Sequence, residues 1–155
     1  MKLFLFLICF TFSSISFAVD IASCSNPIGK AYYPEIGLVT KEKSGWEQNE
    51  KITNGIVKLS KTAKEEYDIL FVDSTKQITS SVEDGGSVLM LNRGKNVVSF
   101  MVIYPGTAAE IFTFLKNSSG GLEYIHVTSR AGDAVMITKA SIMRGDCAFI
   151  EFSKV

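Results

Sequence analysis

Tyr67-Asp68-Ile69-Leu70-Phe71-Val72, Ile78-Thr79-Ser80-Ser81-Val82 and Val88-Leu89-Met90-Leu91 are three short runs rich in β-branched and aromatic residues, and they decide the fold. Residues 97–104, 108–115 and 122–128 continue the series. Turn-forming residues separate the runs: Asp73-Ser74-Thr75, Glu83-Asp84-Gly85-Gly86, Asn92-Arg93-Gly94, Pro105-Gly106 and Asn117-Ser118-Ser119-Gly120-Gly121. Measured from Asp73 to Glu83, Asn92, Pro105 and Asn117 in turn, the spacings are 10, 9, 13 and 12 residues. Short strands at that rhythm predict an antiparallel all-β domain.

Side chains alternate across a strand, so parity assigns faces. Tyr67, Ile69 and Phe71 share one face, with Leu70 and Val72 on the other. Residues 97–104 are apolar on both faces except at Ser99, which predicts a central strand, or one facing a core on one side and a partner on the other. Glu110, Phe112 and Phe114 share a parity, as do Leu122, Tyr124, His126 and Thr128. A polar group among aromatic rings is the pattern of a pocket, and Glu110, Phe112, Phe114, Tyr124 and His126 form the candidate ligand site.

Outward from this block, Val57 and Leu59 alternate with Lys58 and Ser60 in a half-buried strand. On the other side, Val135-Met136-Ile137 reads as a strand, residues 139–146 as a loop, and residues 147–152 as the closing strand. The expectation is a meander of eight or nine strands, closed into a small barrel or folded into a two-layer sandwich. Residues 19–51 lack strand periodicity and contain Pro27, Gly29, Pro34 and Gly37. They are expected to form an irregular lead-in covering the β-domain of residues 52–155, with Trp46 as a core plug.

Residues 3–12 are an apolar run after Lys2, and Ser16 and Ala18 make an A-x-A-like cleavage site, so residues 1–18 read as a secretory signal peptide. The run is too short to span a membrane, and no transmembrane segment is expected after cleavage. Cys24 and Cys147 then remain, and an exported pair of cysteines predicts a disulfide, periplasmic or secreted. Ile21-Ala22-Ser23-Cys24 also has the look of a lipobox, the alternative being a lipoprotein anchored through Cys24, although Asp20 departs from that pattern.

The 155 residues suit one domain, and 46% hydrophobic content with 11 Phe excludes disorder. Lys+Arg and Asp+Glu are 16 each; without Lys2 the balance is 15 against 16, so no bulk charge draws nucleic acid. The chemical inventory is thin. One histidine excludes a multi-His metal site, and no nucleophile elbow or phosphate-binding glycine loop is present. No catalytic residue, metal or cofactor is assigned. Glu65-Glu66 and Glu83-Asp84 read as solvated turns, and Arg144-Gly145-Asp146 as a turn into Cys147 rather than an adhesion motif.

Cys24-Ser25-Asn26-Pro27, Tyr32-Tyr33-Pro34, Ser44-Gly45-Trp46, Tyr67-Asp68-Ile69-Leu70, Glu83-Asp84-Gly85-Gly86, Tyr104-Pro105-Gly106 and Cys147-Ala148-Phe149 together resemble a set of small uncharacterised exported bacterial β-rich proteins. The resemblance implies export and a compact domain, and no activity. Gly45-Trp46 and Arg144 are more distantly similar to the lipocalin Gly-x-Trp and late Arg, with the glycine one residue too close. The expected role is a non-enzymatic β-domain binding a small molecule or a protein partner. The alternatives are an inhibitor or immunity-type protein acting on another secreted protein, or a hydrolase with a hidden site.

Overall fold

The computed structural model describes residues 18–62, 64–72 and 76–155. Residues 1–17 of the signal-peptide segment and the Asp73-Ser74-Thr75 turn lie outside the described residues. Ten strands follow in order: β1 (Val19–Tyr33), β2 (Gly45–Lys51), β3 (Ile56–Lys61), β4 (Tyr67–Val72), β5 (Ile78–Ser80), β6 (Ser87–Arg93), β7 (Val97–Tyr104), β8 (Ala108–Lys116), β9 (Leu122–Arg130) and β10 (Lys139–Ile150). They form one antiparallel sheet curled into a half-barrel, ordered β5-β4-β3-β1-β10-β9-β8-β7-β6, with β2 also on β1.

The registers make this order simple. β3 pairs with β1 from Val19 to Ser25, and β2 pairs with it from Ile28 to Tyr33. β2 and β3 are therefore one interrupted strand along one side of β1, while β10 lines the other side. The sheet is a meander whose first and last strands are joined and which is cut open between β5 and β6.

Residues 19–51 are thus not an irregular lead-in: they hold β1, at the centre of the sheet, and β2. The physical reason is irregularity inside a strand rather than absence of one. Register shifts that add a residue to β1 fall between Asp20 and Ala22 against β3 and between Ser25 and Ile28 against β10, and Asn26 has φ 53°. Each shift inverts the parity that periodicity relies on. Pro27 donates nothing, but its carbonyl accepts Ile52 N–H at 3.1 Å, and Asn26 N–H reaches the Gly55 carbonyl at 3.1 Å. The break between β2 and β3 sits against this distortion.

A second correction concerns the C-terminal end. Residues 135–137 belong to a connection, and 139–146 are part of β10. The inward residues Ser141, Met143, Gly145 and Cys147 are mostly small or polar, so alternation with Ile142, Arg144 and Asp146 carried no hydrophobic signal. Arg144 and Asp146 point outward from a strand; Arg144 Nη2 donates to Asp146 at 2.8 Å and Nε to Glu123 at 2.9 Å.

The concave face holds the core. Ile69, Leu59, Val98, Phe100, Val102, Phe112, Phe114 and Tyr124 are fully buried or nearly so. Cys24 and Cys147 face each other across the β1/β10 ladder and are disulfide-bonded, with Cα atoms 3.8 Å apart. That bond removes the sulfur that lipidation of Cys24 requires. Trp46 is no core plug: it lies 66% exposed on β2, tilted against Tyr32 at 5.4 Å. Among the described residues no helix is long and apolar enough to cross a membrane.

Candidate functional site

Direct cross-strand partners share a face, so the registers stack the concave face in rows. Val98, Phe114, Tyr124 and Gly145 make the first row. Phe100, Phe112, His126 and Met143 make the second, and Val102, Glu110, Thr128 and Ser141 the third. Tyr104, Ala108, Arg130 and Lys139 end the series. The face therefore grades from aromatic to polar along the strands. The first row and the two phenylalanines of the second are packed solid, and His126, Met143 and the polar rows line a cleft of about 780 Å³. Turns at Asp84-Gly85 and Tyr104-Pro105, and residues 134–137, form its rim.

Of the five candidate pocket residues, Glu110 and His126 line this cleft; Phe112, Phe114 and Tyr124 do not. Those three fill the core beneath it. Parity placed all five on one face, but it gives no depth along the strand. Thr128 was legible on the same face. Arg130 and Lys139 were not, because one ends β9 and the other opens a strand that read as a loop.

His126 is 8% exposed and stacks on Phe112, with centroids 4.2 Å apart and planes 12° from parallel. Its Nε2 lies 3.3 Å from Glu110 Oε2 and 2.9 Å from Thr128 Oγ1. With the proton on Nε2, it donates towards both oxygens; with Nε2 bare, it accepts from the Thr128 hydroxyl and leaves Glu110 without that donor. A nucleophile relay needs the hydroxyl on one ring nitrogen and the carboxylate on the other. Here both partners meet the same nitrogen, so the group is a fixed polar patch rather than a relay.

The surrounding electrostatics are mixed. Burial pushes the Tyr104 phenol above its ordinary value; a hydrogen bond with Ser81 opposes this, and the charges of Glu110, Asp84 and Asp68 add to it. Lys139 Nζ donates to Glu50 Oε1 at 2.9 Å and sits 5.8 Å from the Tyr33 ring centroid. Burial pushes the Glu50 carboxyl up, but hydrogen bonds from Lys139 and Tyr33 outweigh it and hold Glu50 below the usual value. Arg130 is exposed at the mouth, and among the described residues it makes no ion pair within 4.0 Å.

A second, smaller cleft of about 580 Å³ adjoins the first, with Ile137 common to both. Trp46, Leu38 and Glu47 line it, and Glu50 sits in its wall. Among the described residues no three His, Cys, Asp or Glu side chains converge as metal ligands. No protein-family model, curated protein or solved structure matches the chain.

Proposed function

We propose that this protein is an exported, non-enzymatic β-domain whose larger cleft binds a small amphiphilic molecule. The carrying observation is the graded concave face: an apolar floor of Phe71 and Met143 beside the fixed polar patch of Glu110, His126 and Thr128 in a cleft of about 780 Å³. A volume in that range suits a small ligand, and a few placed polar groups in apolar surroundings are what orient one. Export rests on the reading of residues 1–18 and is supported by the disulfide.

Native mass spectrometry of the protein from its own exported fraction tests this, together with a Glu110→Ala variant prepared in the same way. Extra mass that leaves on denaturation, and that the variant loses, supports the reading. A bare protein in which wild type and Glu110→Ala take up an amphiphilic probe equally overturns it. A second reading has its own observation: Met136 and Ile137, 78% and 45% exposed, leave an apolar rim at the mouth. Such a rim fits a protein partner, as in an inhibitor, and a bare cleft transfers the role to that surface.

A further inference from the structure

The geometry points to a second binding site, at Trp46, for a quaternary ammonium group. Trp46 is the only tryptophan of the chain, and its indole stands 66% exposed in the wall of the 580 Å³ cleft. Its one stacked or tilted aromatic partner among the described residues, Tyr32, meets it at 57° between planes, a contact that leaves the indole accessible. Among the described residues, ring–ammonium contacts occur at Tyr67 and Tyr33, and Trp46 has none. A tryptophan face is the strongest aromatic partner for a cation.

Charge selects the same occupant. The cleft presents Glu42, Glu47 and Glu50 against Lys43. Glu50 is offset by Lys139, which leaves Glu42 and Glu47 against one lysine, an excess of one negative charge. Glu47 is fixed at an irregularity of β2, with Oε1 accepting Asn49 N–H at 2.8 Å. The remaining wall is apolar, with Leu38, Val39 and Ile137. A bare ammonium keeps its water too strongly to enter such a wall, whereas methyl groups around the nitrogen weaken its hydration and pack against Leu38 and Ile137. The site adjoins the larger cleft through Ile137, but its aromatic and acidic groups are its own, so it does not depend on that cleft being occupied.

Because Trp46 is unique, its fluorescence reports this cleft alone. The full chain is titrated with tetramethylammonium chloride at constant ionic strength, with neopentyl alcohol as the uncharged match in shape. A saturable change in emission with the cation, at least about ten-fold weaker for the alcohol, is expected. Glu47→Gln keeps the oxygen that accepts Asn49 N–H and removes the charge, and weakens binding several-fold. Calorimetry on wild type and Trp46→Leu gives a second readout, with heat of binding lost in the variant. No saturable response by either method, or equal responses to cation and alcohol, overturns the proposal. Choline and phosphatidylcholine vesicles separate a free cation from a lipid headgroup. A response to phosphatidylglycerol vesicles equal to that for phosphatidylcholine overturns it as well.

Discussion

Tyr124 carries a contradiction at the scale of one atom. Its side chain is fully buried, and its hydroxyl is the one buried side-chain polar atom among the described residues without a hydrogen-bond partner. An unpartnered buried hydroxyl costs roughly 1–3 kcal/mol, so Tyr124→Phe is expected to raise stability by about 1 kcal/mol in urea unfolding. A clear loss would reveal a partner such as an enclosed water. The same burial pushes the Tyr124 phenol far above its ordinary value. Burial also raises Tyr33, with Glu50 adding and Lys139 opposing, and Tyr104 is raised as well. A folded-state value above the unfolded one means that the unfolded chain gives up its protons first. Stability from these phenols is complete below about pH 10 and is lost as pH rises through the folded values. Denaturation midpoints should fall above that pH, and phenolate absorbance should show the buried tyrosines ionising late. Gly145 is a third residue-scale constraint. A Cβ there would lie 2.5 Å from both the Ser25 carbonyl oxygen and the Tyr124 ring. Gly145→Ala should cost roughly 1–3 kcal/mol, because a backbone atom must move.

Among the elements, β8 and β9 were legible because their cross-strand partners also sit close in sequence and both alternate without interruption. Phe112 opposes His126 and Phe114 opposes Tyr124, as parity required. β1 was illegible because its partners are remote and its bulges reverse parity twice in a few residues. β10 was illegible because an inward Ser141 and Gly145 look like a loop. The candidate site was half legible for a related reason: alternation tells which face a side chain occupies but not whether a neighbouring row covers it. On the outer face, Leu89, Met101, Ile111, Val127 and Ile142 align across five strands and bring an apolar row to the free edge at β6. A register shift between Met90 and Asn92 disturbs that edge, which hinders pairing with another chain. Deleting Leu91 to straighten β6 should produce concentration-dependent self-association by sedimentation, while wild type stays unchanged over the same range.

The whole molecule depends on the join between its ends. Cys24 and Cys147 are 123 residues apart in sequence, and a cross-link over such a loop is worth up to about 5 kcal/mol in the chain-entropy account. Reduction, or Cys24→Ser with Cys147→Ser, should lower stability by several kcal/mol in denaturant unfolding with a single transition retained. A midpoint unchanged by reductant would show that the β1/β10 ladder alone holds the ends. That ladder also sets a timetable. β1 is the first strand to emerge during synthesis and β10 the last, so the central seam of the sheet has no partner until nearly the whole chain exists. Pairing so distant in sequence is slow to find. A chain that must wait for its own tail keeps that seam unsealed until β10 arrives, however early the local β8/β9 pairing forms.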